Sequence, residues 1–416
     1  MKITMPLKQL KDAVEKSSLG ALTKDAQDED RKKIKPTDSC VKISASKDAV
    51  TFESSSKEVS ALHSIPVRDD VVVEKEGICC ADAKSYLKML KTLPTDCSVQ
   101  ISYEANKDCG KDPYENIVIK PNGKLTTIAF KNKSEKTRGT NDTYPVGGFT
   151  QVDYSRNQVL FSINAKLLKQ CVSQVIFAIC PKNLSNIYDN VAIYALGNKI
   201  HFAGTDGKRC AIYSVDADEK DAAIILDGQK ILIDGKLLKD FCKCFGKGEI
   251  IDVIGCEDNG HVVLATENTK IRLQTASKEA KRQFPNAINL LDLACPTTIT
   301  VDKSDFLSAI EFLSLCNLSL CNPDKSIFYV EQGKSEIKIN ATRRGTEPGT
   351  ALVKCEPIKA SLANPVAMSN RFIQDCCKRI VGSWVKISFS LDEKKTKMES
   401  TTDKRFVHFM QSMTVE

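Results

Sequence analysis

The feature that most limits the possible folds is a repeat. One order of elements is written three times along 416 residues. Such self-similarity means one supersecondary unit copied along the chain. The first unit is predicted to open with a strand over 2–5 and a helix over PLKQLKDAVEKSS, where Leu7, Leu10 and Val14 recur at helical spacing. A hairpin follows (Val41-Lys42-Ile43-Ser44-Ala45, then Val50-Thr51-Phe52), then a strand over 61–67, a second helix AKSYLKMLKTL, and strands SVQISYE, NIVIKP and KLTTIAF. The second unit repeats the order with QVLFSI, AKLLKQCVSQVIFAI, a hairpin over 190–202, AIYSVD, KILIDGKLLKDFCKCF, IIDVIG, HVVLAT and KIRLQT. The third does so with TTITV, KSDFLSAIEFLSLC, SIFYVEQGKSEIKINA, TALVKC, SNRFIQDCCKRIV, VKISFSL, KTKMES and RFVHFMQSMTV. Each unit is about 130 residues, the size of one domain. The expected domains are 1–153, 154–295 and 296–416. Strands outnumber helices and do not alternate with them as βαβ, so the class is α+β with antiparallel sheets.

The middle hairpin ends in Thr205-Asp206-Gly207-Lys208-Arg209-Cys210. Asp-Gly is a turn signal, since glycine accepts positive φ and Asp can bond its own backbone. The turn is expected to push Lys208 and Arg209 outward at the end of a half-buried β-ribbon. Read alone, it is first of all a charged turn on a solvated edge.

Composition narrows the classes. Hydrophobic residues make up 42% and charged residues 27%, ordinary for a globular protein. No apolar run reaches membrane-spanning length, and MKITMPLKQLKDAV lacks the apolar core of a signal peptide. A cytoplasmic protein with reduced thiols is expected, with no membrane partner. The 17 cysteines include no C-x-x-C and the four histidines are scattered, so no metal site is expected. Cysteine here serves as a small buried hydrophobe. There is no phosphate loop, dinucleotide fingerprint, nucleophile elbow or H-E-x-x-H. Gly255 to Gly260 has phosphate-loop spacing but is followed by His261. No cofactor and no catalytic residue are expected, although a site assembled from distant segments would escape a motif search.

The net charge of +7 is modest, so its placement matters. Lys84, Lys88 and Lys91 share one helix face, opposite Tyr86, Leu87, Leu90 and Leu93. Lys236, Lys239 and Lys243 repeat the pattern, opposite Leu238, Phe241, Cys242 and Phe245. Lys8 and Lys11, Lys166 and Lys169, and Arg371 and Lys378 continue it. Any amphipathic helix needs a polar face, and lysine is a good helix former. The same bias in equivalent helices of a repeat instead suits contact with duplex phosphates without base reading. Few aromatics interleave, which disfavours stacking on single strands.

The threefold unit, the TDGKR turn and Gln283-Phe284-Pro285-Asn286 together resemble the bacterial sliding clamp, the β subunit of DNA polymerase III, over essentially the whole chain. The resemblance implies three clamp domains per chain, each with two helices packed on antiparallel sheets. Two chains form a head-to-tail homodimeric ring with helices lining the hole. It implies a non-catalytic processivity factor that encircles double-stranded DNA and tethers the replicative DNA polymerase and other clamp-binding peptides. A clamp loader is implied as a partner. The resemblance places the peptide cleft at Ser185, Tyr188, Thr205, Gly207, Lys208, Arg209, Cys210, Pro285, Asn289, Leu290, Phe409, Met410, Gln411, Ser412 and Met413, and part of the subunit interface at Phe312 and Leu313. Cys210 stands where the family usually has leucine, and the chain end Gln411-Ser412-Met413-Thr414-Val415 departs from the family's. A cleft similar in position and different in shape is expected. The competing classes are a peptide-binding hub that does not encircle DNA, and an enzyme with a hidden site.

Overall fold

A computed structural model describes residues 1–21, 39–56, 58–94, 96–105, 115–121, 128–132, 158–180, 187–217, 221–256, 260–317, 325–341 and 349–413. The polar stretches 26–35 and 133–148 of the sequence, the expected domain boundary at Asp153, and Ser185 lie outside the described residues.

The first repeat contains β1 (Lys2–Pro6), α1 (Leu7–Ser18), β2 (Cys40–Ala45), β3 (Ala49–Ser55), β4 (Val59–Pro66), β5 (Val72–Lys75), β6 (Gly77–Asp82), α2 (Ala83–Thr92), β7 (Ser98–Ala105), β8 (Glu115–Pro121) and β9 (Ile128–Asn132). The second contains β10 (Gln158–Asn164), α3 (Ala165–Val175), β11 (Asn190–Leu196), β12 (Lys199–Thr205), β13 (Arg209–Asp216), β14 (Ala222–Ile224), β15 (Gln229–Asp234), α4 (Gly235–Phe241), β16 (Ile250–Gly255), β17 (His261–Ala265), β18 (Thr269–Gln274) and α5 (Lys278–Gln283). The third contains β19 (Thr297–Asp302), α6 (Lys303–Asn317), β20 (Lys325–Tyr329), β21 (Glu336–Ala341), β22 (Thr350–Lys354), β23 (Val366–Ser369), α7 (Asn370–Cys377), β24 (Trp384–Phe389), β25 (Lys395–Ser400) and β26 (Phe406–Gln411).

The repeat is real at the level of hydrogen-bond register. The hairpin sheets run β4-β3-β2-β6, β13-β12-β11-β15 and β22-β21-β20-β23. In each, the first residue of the hairpin pairs with the residue that starts the second helix: Cys40 with Asp82, Asn190 with Asp234, Lys325 with Ser369. Strands run straight into helices, and the junction residue is the N-cap. Asp82, Asn164, Asp234 and Ser369 accept from Ser85, Lys166, Leu237 and Phe372 backbone N–H groups at 2.8, 2.9, 2.8 and 3.4 Å. A short polar residue at the end of an apolar strand therefore stops the sheet and starts the helix in one step. Pro6 performs this for α1 through its fixed backbone, without a side-chain bond.

The described residues divide into two compact units, Met1–Leu160 with Cys244–Thr275, and Phe161–Lys243 with Ala276–Glu416. In the first unit α1 and α2 pack together over the sheet. Leu7, Leu10, Val14, Tyr86 and Leu90 meet Val41, Ile43, Phe52, Val99 and Ile101 in one buried core. There β4 of the first repeat pairs with β18 of the second, antiparallel. In the second unit α3 packs on α4 and α6 on α7. There β13 of the second repeat pairs with β26 of the third, also antiparallel.

Three expectations need correction. The middle hairpin is not half-buried: β11 is buried along Asn190–Ala195, because α4 covers one face and the chain after β18 covers the other. The second helices are shorter than their apolar patterns. α4 ends at Phe241 and α7 at Cys377, each followed by a turn that carries the remaining apolar residues. Strands β5, β6, β14 and β23 and helix α5 were not anticipated.

Candidate functional site

The TDGKR turn is held by its own polar groups. Thr205 Oγ1 donates to the Arg209 carbonyl at 2.6 Å and accepts from the Gly207 N–H at 3.1 Å. Asp206 Oδ1 accepts from the Lys208 and Arg209 N–H groups, each at 3.0 Å. Gly207 sits at φ +86°, where an L side chain is strained, and a Cβ there would meet the Tyr188 ring at 3.4 Å. Lys208 is exposed as expected.

Arg209 is not exposed. It turns inward and is 6% exposed. Nε donates to Asp206 Oδ2 at 3.0 Å, Nη1 to Asp375 Oδ2 at 2.8 Å and Nη2 to the Phe177 carbonyl at 2.8 Å. The guanidinium lies 4.3 Å from the Phe372 ring centre and 5.4 Å from that of Phe177. A guanidinium with this many partners tolerates burial, since its donors are spent on carboxylates and a carbonyl and its faces on rings. The turn pattern alone could not reveal this, because Phe177, Phe372 and Asp375 are remote in sequence. Arg209 is thus a tie between the middle and third repeats.

The β13–β26 ladder brings the turn and the chain end together. Arg209 lies opposite Met410 and Cys210 opposite Phe409, and the Gln411 N–H donates to the Lys208 carbonyl at 2.8 Å. Met413 donates its N–H to the Ala367 carbonyl at 2.8 Å, and Ser412 Oγ to the Glu393 carbonyl at 2.7 Å. Phe409 and Met410 are buried, Met413 half-buried and Gln411 exposed.

Above this ladder sits an apolar cluster. Cys210, Phe409, Tyr194, Phe284 and Ala287 are buried in it, and Leu290, Ile187, Ile288, Leu291 and Leu293 lie partly exposed against it. Burial pushes the Cys210 thiol up to about 12, so it is a neutral apolar floor. Pro285 and Asn289 are exposed on the rim, and Asn289 Oδ1 accepts from Asn286 Nδ2 at 3.0 Å. Ile187, Ile288, Leu291 and Leu293 were missed in the sequence; the apolar spacing of AINLLDLA after the Phe-Pro pair was the available signal.

His408, on β26 between Ala211 and Met398, is wholly buried, with its ring 5.6 Å from that of Phe177. Neither ring nitrogen has a hydrogen-bond partner, and burial lowers its pKa to about 3. It is a neutral imidazole.

The basic residues expected to meet DNA lie at the surface. Lys8, Lys84, Lys88 and Lys91 are exposed on α1 and α2, and Lys11 is half-buried with its ammonium 3.3 Å from the Leu93 carbonyl. Lys166 and Lys169 on α3, Lys236 and Lys239 on α4, Lys243 just after it, and Arg371 and Lys378 at the two ends of α7 are exposed. Lys91 stands 3.7 Å from Glu15 and Lys243 2.7 Å from Asp240, both pairs in solvent. On α6, Phe312 is 53% exposed, whereas Leu313 is 0% exposed and belongs to the core. Leu313 therefore cannot be a contact side chain without rearrangement; Leu315, 68% exposed, was the overlooked neighbour.

Among the described residues no three His, Cys, Asp or Glu side chains converge as a metal site, and no helix is long and apolar enough to cross a membrane. No protein-family model matches the sequence, and no curated protein matches it. Solved structures do match in fold. The DNA polymerase sliding clamp of Bacillus subtilis aligns over 100% of both chains with a TM-score of 0.74 at 18% identity. A putative DNA polymerase III β subunit from Eubacterium rectale aligns over 99% of both with 0.76 at 17%. The Pseudomonas aeruginosa sliding clamp, in a structure with griselimycin bound, aligns over 100% of both with 0.78 at 15%. From its first strand to its last, this chain has the fold of the DNA polymerase III β sliding clamp.

Proposed function

We propose that the chain is a DNA sliding clamp, a non-catalytic, ring-shaped processivity factor. One observation carries the reading. Inside the chain, β4 pairs with β18 and β13 with β26, each joining one repeat to the next. Among the described residues, the equivalent strands at the two ends, β22 of the third repeat and β9 of the first, are sheet edges, paired only with β21 and β8. An edge strand is a template for pairing with another chain. The third repeat of one chain therefore offers the first repeat of a second the same antiparallel joint used twice within the chain. Such a head-to-tail contact is heterologous, and it closes as a ring when the rotation permits. Phe312, Leu315 and Leu352, exposed on α6 and the adjoining β22, supply the apolar contact beside that joint.

Two chains of three domains, 1–153, 154–295 and 296–416, then make six lobes around duplex DNA. The lysine faces line the hole and contact phosphates weakly enough to slide, while ring closure supplies retention. The partly exposed apolar cluster around Cys210, Leu290 and Phe409, with a polar rim at Lys208, Pro285, Asn289 and Gln411, suits a short linear peptide. Tyr188, Thr205, Gly207, Met410 and Met413 shape that cleft, and Arg209 supports it from beneath. The replicative polymerase and other replication or repair proteins dock there, and a clamp loader opens the ring in the cytoplasm.

Light scattering during gel filtration tests this reading. It requires the mass of two chains, and substitution of Phe312 and Leu315 by glutamate must yield monomers. A wild-type monomer at micromolar concentration would favour the non-encircling hub.

A further inference from the structure

Lys230 has no role in any of the motifs above, yet its ammonium is held tightly. Nζ donates to the Lys281 carbonyl at 3.1 Å and to the Phe284 carbonyl at 3.2 Å. These are carbonyls at the C-terminal end of α5, where backbone acceptors lack helical partners and a cation is favoured. The same ammonium lies 5.6 Å from the Tyr194 ring centre and 5.4 Å from that of Phe284. Tyr194 is directly opposite Lys230 in the β11–β15 ladder, and its hydroxyl donates to the Pro285 carbonyl at 3.3 Å. One cross-strand pair thus grips three carbonyls of the segment 281–285. That segment leads into the 3-10 turn Ala287–Leu290, the wall of the proposed cleft.

The repeat shows that the fold itself does not require this lysine. Lys230 stands four residues before the cap Asp234; the corresponding residues before Asp82 and Ser369 are Ile78 and Pro365. In the middle repeat the segment after β18 folds back over the hairpin sheet, and of the three equivalent positions this one holds a cation. Burial lowers the Lys230 pKa, as expected for an ammonium traded from water to carbonyls and rings.

We propose that Lys230 is a positioning residue for the peptide cleft: with Tyr194 it clamps the carbonyls of 281–285 and so fixes the wall that carries Asn289 and Leu290. This rests on the cleft reading above. Removing the ammonium leaves the apolar cluster in place but frees the wall to fluctuate, and a peptide must then order it on binding.

The experiment compares full-length wild type, Lys230→Met and Lys230→Arg by amide hydrogen exchange and by anisotropy of a fluorescein-labelled short peptide carrying two leucines as apolar anchors. Lys230→Met is expected to speed exchange over 286–291 while leaving β11–β13 protected, and to weaken peptide binding about tenfold. Lys230→Arg, which restores a cation within reach of both carbonyls, is expected to recover most of each. Unchanged exchange over 286–291 in Lys230→Met would overturn the positioning role whether or not peptide binds. Faster exchange with unchanged affinity would overturn its link to the cleft. Loss of protection throughout β11–β13 would overturn it in favour of a general structural role. No peptide binding by the wild type would instead overturn the cleft reading.

Discussion

Arg209, at the tip of the middle hairpin, and Asp375, on α7 of the third repeat, form an ion pair at 2.8 Å. The arginine is buried and the aspartate partly so, and the pair sits directly under the β13–β26 joint. Removing one partner of a buried pair strands the other charge. Arg209→Ala is expected to lower unfolding stability by about 3–5 kcal/mol, measured by urea denaturation. Asp375→Asn should cost less, because Asp206 and the Phe177 carbonyl still serve the guanidinium. Additive losses in the double variant would show that the two side chains are not coupled.

Leu290 offers a cleaner probe of the cleft than Arg209, since it is partly exposed, apolar and takes no part in the buried ion pair. Leu290→Glu is expected to weaken peptide binding by about 2 kcal/mol or more, from lost apolar contact and a desolvated charge. Mass by light scattering should stay that of the wild type. Wild-type affinity in this variant would move the peptide site elsewhere.

The lysine faces yield a test on DNA. Reversing Lys84, Lys88 and Lys91 together to glutamate is expected to weaken loading onto, or retention on, nicked circular DNA, with an unchanged far-UV spectrum. These side chains are exposed, and the ion pair of Lys91 with Glu15 at 3.7 Å is a solvated contact of small worth. Retention equal to wild type would remove α2 from the DNA-facing surface.

Acid should destabilise the protein through its histidines. Burial is the main cause that lowers His408 to about 3 and His63 to about 4, and it lowers His201 too. The folded state holds these rings neutral, while the unfolded chain protonates them near the ordinary value of 6.5. These groups therefore leave stability unaffected above about pH 6.5, and stability falls as pH drops from there towards about 3. Each contributes a slope approaching about 1.4 kcal/mol per pH unit inside its window. His408→Leu, which also removes two unpartnered nitrogens, should flatten the midpoint-versus-pH curve. An unchanged curve would mean that His408 is not buried as described.

Much of this was legible in the sequence because a repeat states each element three times. Asp234 ends an apolar strand that runs into α4, and that junction was legible; the same junctions at Asp82 and Ser369 were not, because the short strands β6 and β23 before them carry too little pattern. The lysine faces were legible because exposure follows from helical spacing. The burial of Arg209 was not: its partners Phe177, Phe372 and Asp375 lie on other elements, and local turn chemistry points the side chain outward. Leu313 shows the same limit, since one step around α6 separates the core from the exposed Phe312. The segment after β18 was read only for its Phe-Pro pair. Its hold on the sheet depends on Lys230 and Tyr194, whose role appears only once β11 and β15 are paired.

The most direct measurement is an image of single particles of the purified protein. A closed ring of two chains predicts class averages with six lobes around an open centre wide enough for a double helix. Three-lobed particles without a hole, persisting at micromolar concentration, would contradict it.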